Sequence, residues 1–146
     1  MLFQIKSYIN FLKNSSNQHG VHSPFVYSLI TKCFYDKKKH AEYSILKQYR
    51  KSLLANKNFI EVTDFGAGSR VFKSNARQIS KIAKTAGISS KRAELLFRIV
   101  NYFQPETILE IGTSLGLATS ALSLGLEAKT NRAKLNKTAK IISLEE

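Results

Sequence analysis

Apolar residues recur at helical spacing through the first third of the chain and then switch to short runs bounded by glycine. In residues 1–13, Leu2, Ile5, Ile9 and Leu12 fall on one helical face, Phe3, Tyr8 and Phe11 broaden it, and Gln4, Lys6, Ser7 and Asn10 are left for water. Such a stripe is built to dock. After a polar, turn-rich break from Asn14 to Gly20, Ser23 followed by Pro24 supplies a capping hydroxyl and a pre-set first-turn φ. The helix that follows is expected to bury Phe25, Val26, Leu29, Ile30 and Phe34. A third helix, from Ala41 to Ala55, turns Leu46, Tyr49 and Leu53 inward.

From Phe59 the period changes. Phe59 to Phe65 alternates as a short strand, Gly66 to Ser69 must turn, and Ser74 to Thr85 reads as a basic amphipathic helix through Ile79, Ile82 and Ala83. Ser89 or Ser90 caps a further helix, Lys91 to Phe103, with Leu95, Leu96, Ile99, Val100 and Phe103 inward, and Gln104-Pro105 ends it. Thr107 to Ile111 is a buried strand, Gly112 to Gly116 a turn, and a helix runs on to about Leu124. The basic stretch Asn131 to Lys137 connects it to a last strand, Ile141 to Leu144.

This order predicts an α/β fold: an incomplete Rossmann-like parallel sheet, its first βαβ unit, preceded by a helical N-terminal extension. The segments are 1–58 (helical extension), 59–88 (strand, glycine loop and helix) and 89–146 (first part of the nucleotide-binding domain). A parallel crossover carries the second strand's tip to the same carboxyl edge as the glycines. Parallel sheets need helices on both faces and more strands than two or three. The chain is therefore expected to be the N-terminal portion of a truncated fold, inactive alone.

Composition narrows the partners. At 146 residues and 43% hydrophobic, the chain suffices for one ordinary domain, and no apolar run approaches the roughly 20 residues needed to span a bilayer, so a cytoplasmic protein without membrane contact is expected. A single cysteine, Cys33, excludes an internal disulfide and a cysteine-based zinc site. The net charge of +13 attracts phosphate-bearing partners. It is scattered, however, with only Lys37-Lys38-Lys39 as a run and no interleaved aromatic platform, so nucleic acid is not the favoured partner. His19 and His22 have no nearby cysteine or acid to complete a metal site, and none is assigned.

The candidate chemistry lies in Glu110-Ile-Gly-Thr-Ser-Leu-Gly116 and in Glu145. Gly112 lets a ligand approach the backbone without a Cβ in the way, and Gly116 stands at the mouth of a helix. Glu110 suits a cationic ligand group. The glycines are spaced G-x-x-x-G and lack the G-x-G pair that seats a pyrophosphate, which disfavours a dinucleotide oxidoreductase. Asp64-Phe-Gly-Ala-Gly68 is a second acid-glycine motif. The next acid-tipped strand lies two helices away from it, so a structural or lid-like loop is expected there, with Arg70 and Arg77 as anion contacts.

Ile108 to Gly116 resembles the first cofactor motif of class I S-adenosylmethionine-dependent methyltransferases, in the variant of small-molecule O-methyltransferases related to catechol and caffeoyl-coenzyme A enzymes. His19 to Phe25 and Asp64 to Ser69 are similar to segments that a bacterial subgroup carries ahead of that motif. The resemblance implies S-adenosylmethionine as cofactor, with Glu110 facing its methionine end, Gly112 admitting the adenosyl part, Thr113, Ser114 and Gly116 lining the turn, and Glu145 accepting both ribose hydroxyls. Ala118 departs from a frequent serine, with Thr119 as a substitute, and Glu146 replaces a common glycine. The resemblance further implies a small-molecule methyl acceptor, with any divalent metal held by later parts of such an enzyme and not by this segment. No catalytic residue or metal ligand is assigned, and a homo-oligomer stays open. Two alternatives stand beside this reading: a basic nucleic-acid-binding module or RNA methyltransferase, and a non-catalytic truncated remnant.

Overall fold

The structure is a computed structural model that describes residues 2–15, 17–63, 69, 71–128 and 139–145. The Asp64 to Gly68 motif, Arg70, the Asn131 to Lys137 connection and Glu146 lie outside the described residues. Two compact units divide the chain between Asp36 and Lys37. The sequence reading ended the helical extension at residue 58 instead; the helix from Glu42 to Ala55 packs with the second unit.

In the first unit, α1 (Leu2–Asn14) forms where the stripe placed it, yet it buries no residue: Leu2, Phe3, Tyr8 and Phe11 are all exposed. A short 3-10 turn, Gln18–Gly20, is capped by Asn17, whose Oδ1 accepts the His19 N–H at 3.0 Å. Ser23 caps α2 (Pro24–Ser28) by accepting from the Val26 N–H, as its hydroxyl and Pro24 predict. The chain then widens into a π-helical stretch, Leu29–Phe34, closed by the Tyr35 N–H on the Ile30 carbonyl at 2.9 Å. Cys33 is its buried residue. The expected burial of Phe25, Val26 and Phe34 is not found, since all three are exposed.

The second unit is mixed helix and strand. Its helices are α3 (Glu42–Ala55), α4 (Ile79–Thr85), α5 (Ser90–Phe103) and α6 (Leu117–Glu127). Residues Ala76 to Gln78 are not helical, as had been expected from Ser74 onward. They form β2, antiparallel to β1 (Phe59–Glu61), with Ile60 opposite Arg77. Pairing with β1 overrides the helix propensity of Ala, Arg and Gln, and helix begins only at Ile79. Ser89 is the cap of α5, accepting from the Arg92 N–H. At the other end Gln104 adopts the left-handed conformation (φ 48°), and its side-chain amide donates to the carbonyls of Val100, Asn101 and Gly125. A residue type unusual at that position thereby satisfies the helix end it terminates.

The core is helix on helix. Tyr43, Leu46, Ala93, Phe97 and Ala121 form one buried cluster; Val100, Leu122 and Leu126 form another, against which Ile108 and Ile141 pack. Phe97 is fully buried, with Tyr43 set edge-on to its ring and His40 tilted against both. Neither Tyr43 nor Phe97 was among the expected inward residues; α5 is rotated so that Ala93, Phe97 and Val100 face the core. The reason is Gly125: a Cβ there would meet the Phe97 carbonyl oxygen and Val100 Cβ, each at 2.8 Å, so α5 and α6 approach to backbone contact along that line.

β3 (Thr107–Ile111) and β4 (Lys140–Leu144) pair in parallel, with Glu110 opposite Ser143 and Ile111 opposite Leu144. Side chains alternate across the pair. Ile108 and Ile141 pack against the helices, whereas Leu109, Ile111, Ile142 and Leu144 are exposed, Ile111 to 80%. Among the described residues, the buried strand expected at Thr107 to Ile111 is therefore covered on one face only.

Removing the Phe97 ring should leave a cavity that backbone-limited helices cannot close. Phe97→Ala is expected to lower stability by about 3–5 kcal/mol, and Gly125→Val by about 1–3 kcal/mol through overpacking, both read from urea denaturation midpoints. A loss below about 1 kcal/mol for both would show that α5 and α6 do not share the core described.

Candidate functional site

The carboxyl edge of the parallel pair brings together Glu110, Gly112, Thr113, Ser114, Gly116 and Glu145. Because β3 and β4 run the same way in matched register, the turn after Ile111 and the residue after Leu144 leave the sheet side by side. The Gly112 N–H donates to the Leu144 carbonyl at 2.8 Å, extending the ladder by one bond. The turn that follows contains three residues in the left-handed region: Gly112 (φ 83°), Ser114 (φ 50°) and Gly116 (φ 68°). Two are glycines, for which this conformation carries no steric penalty; Ser114 is held there against its preference. A Cβ on Gly112 would meet nothing within 4 Å, so the backbone is bare at that point.

Below the turn, Glu110 is buried on the helix-facing side of β3. Its Oε2 accepts from the Thr119 hydroxyl of α6 and from the Ser143 hydroxyl of β4, each at 2.7 Å. Ser143 in turn is hydrogen-bonded to the Thr113 hydroxyl. Ser143 has one proton and gives it to Glu110, so Thr113 is the donor in that second bond. The result is a chain, Thr113 to Ser143 to Glu110, with Thr119 joining at the same oxygen. Glu110 Oε1 is buried and has no hydrogen-bond partner among the described residues. An enclosed acceptor without a donor carries a desolvation cost that a cationic group or a water would offset.

At the rim, Glu145 Oε2 accepts the Ser114 N–H at 2.9 Å. The two tips are thus laced together by Thr113–Ser143 and Ser114–Glu145 bonds, and do not stand apart around an open slot. The unobstructed surface is the one over Gly112. The Gly116 N–H closes the turn on the Thr113 carbonyl at 2.9 Å, and Gly116 precedes α6 as its cap.

Two participants escaped the sequence reading. Ser143 carries no local signal; it matters because parallel pairing sets it opposite Glu110. Tyr49, 66 positions before Leu115, donates its hydroxyl to the Leu115 carbonyl at 2.8 Å. Thr119, taken as a cofactor-holding substitute for serine, has its hydroxyl committed to Glu110.

Among the described residues, no group of three or more His, Cys, Asp and Glu side chains is placed to hold a metal ion, and no helix is long and apolar enough to cross a membrane. His19 lies in the first unit with its ring against the Gln18 amide at 3.2 Å.

A double-mutant cycle on Glu110→Ala and Ser143→Ala should give a coupling of about 1–3 kcal/mol in urea denaturation, because each single change leaves the other group short of a partner. Additive effects would mean that the hydroxyl chain contributes nothing to stability. Comparison of the chain with family models, with curated proteins and with solved structures returned no match.

Proposed function

We propose that the β3–α6–β4 edge is the cofactor-binding part of a Rossmann-like class I S-adenosylmethionine-dependent methyltransferase acting on a small-molecule oxygen. The observation that carries this reading is the meeting at one sheet edge of a bare Gly112 backbone, the Ser114 and Gly116 turn and the Glu145 carboxyl, above a buried Glu110 with an unmet oxygen. The residues fit the chemistry of such a ligand. Glu110 suits the ammonium of a methionine moiety, and the bare Gly112 backbone admits the flat adenosine. Glu145, at an exposed rim, can take a pair of ribose hydroxyls with two acceptor oxygens.

Bound S-adenosylmethionine supplies an already activated methyl group on its sulfonium. The chain's contribution would be to bind and orient it, the Gly112–Gly116 turn holding the nucleoside and Glu110 the charged end. No residue here is assigned to take the acceptor's proton. The bare face of Leu109, Ile111, Ile142 and Leu144 is consistent with this edge working within a larger sheet covered on both sides.

Titration calorimetry of the chain with S-adenosylhomocysteine tests the reading. Glu145→Ala removes a charged acceptor and is expected to weaken binding about ten- to a hundredfold, corresponding to roughly 1.5–3 kcal/mol; Gly112→Val, which crowds the approach and strains a positive φ, should weaken it at least as much. Unchanged affinity in both variants would reject this placement of the pocket. Tight binding of single-stranded RNA, falling steeply with salt while S-adenosylhomocysteine fails to bind, would favour the basic nucleic-acid module instead.

A further inference from the structure

We infer that Tyr49, on α3, is the positioning residue of the Gly112–Gly116 turn, so that a helix far upstream in the chain sets how much of the time the cofactor edge is ready to bind. The reading of what the turn binds rests on the proposed function; the holding of the turn does not.

The turn is closed by the Gly116 N–H on the Thr113 carbonyl and tied through Thr113 to Ser143, both away from the helical layer that carries Tyr49. Three residues between Gly112 and Gly116 have positive φ, one of them a serine. Gly112 is tied to β4 and Ser114 to Glu145, both at the sheet side. Tyr49 supplies a tie from the helical layer, its hydroxyl on the Leu115 carbonyl and lying 3.6 Å from where a Gly116 Cβ would stand. A phenol suits this role because its ring leaves only two torsions to fix and reaches well beyond its helix.

The helix that carries Tyr49 is itself anchored. Tyr43 and Leu46 lie in the main core, and the Tyr43 hydroxyl accepts from Arg98 Nη1 at 3.0 Å. Arg50, the next residue after Tyr49, donates Nη1 to the Ile88 carbonyl at 2.5 Å. Lys47 pairs with Glu94 at 3.3 Å. With α3 held against α5 and the segment before it, the phenol, itself 36% exposed, bridges the helical layer and the turn.

A ligand that needs the turn in one conformation binds in proportion to the fraction of chains that hold it. Losing the Tyr49 hydroxyl leaves the Leu115 carbonyl without that donor and frees the middle of the turn, while the ring and the α3 packing remain.

Two readouts on the 146-residue chain separate the holding from its purpose. In the ligand-free protein, amide hydrogen exchange in the 112–117 segment should quicken about three- to tenfold in Tyr49→Phe, the range expected for one hydrogen bond, with the α5 amides unchanged. Tyr43→Phe, which removes the other α3 phenol hydroxyl, should leave the 112–117 segment as it is. In calorimetry, S-adenosylhomocysteine affinity should fall in Tyr49→Phe by the ratio of the fractions of chains that hold the turn, at most the factor seen in exchange, and be kept in Tyr43→Phe. Unaltered exchange at 112–117 in Tyr49→Phe, or an equal rise in α5, overturns the positioning role whatever the ligand. Quickened exchange with no binding of S-adenosylhomocysteine by the parent chain upholds the positioning role and overturns the cofactor reading.

Discussion

The parallel register of β3 and β4 is the constraint on which the candidate site depends. With Glu110 set opposite Ser143 and Ile111 opposite Leu144, alternation sends Ile108, Glu110 and Ile141 toward the helices and leaves Leu109, Ile111, Ile142 and Leu144 on the other face. A slip of one residue would exchange these sets, exposing the acid and burying its apolar neighbours. It would also part Gly112 from Leu144 and Ser114 from Glu145. The hydroxyl chain from Thr113 to Glu110, the strained turn and the rim acid are consequences of a single pairing.

That pairing is supported from one side. Contact between α5 and α6 at Gly125 brings Val100, Leu122 and Leu126 over Ile108 and Ile141, and this is the apolar cover the sheet possesses among the described residues. The opposite face remains hydrophobic and exposed, a state that parallel sheets ordinarily avoid by carrying helices on both faces. Bare Leu and Ile at cross-strand positions reduce the stability gained from the pair, since the favourable transfer of these side chains out of water is unrealised.

The third helix joins core and edge. Tyr43 and Leu46 fill the centre of the second unit, while Tyr49, further along the same helix, reaches the turn. Residues 37–58, read from their pattern as part of an extension, therefore share the packing of the sheet-bearing unit.

From the residues alone, most of the helices, the Ser23 cap and a serine cap at Ser89 or Ser90, and the two segments of the parallel pair were legible. Ser23 with Pro24, Ser89 and Gln104 with Pro105 act within a few residues of chain, where local hydrogen bonds and fixed φ values decide the outcome. The gathering of Glu110, Gly112, Ser114 and Glu145 was legible too, because a helical crossover between parallel strands has one favoured geometry. Only tertiary structure decided the rest. Ala76 to Gln78 became strand because β1 offered it a partner, and α5 turned Phe97 inward because Gly125 let α6 approach. Ser143 and Tyr49 entered the site through contacts that bridge 33 and 66 positions of sequence. Periodicity reports which residues a segment wants to bury; it is silent on which distant backbone will meet them, and that meeting determines both the rotation of a helix and the donors around a buried acid.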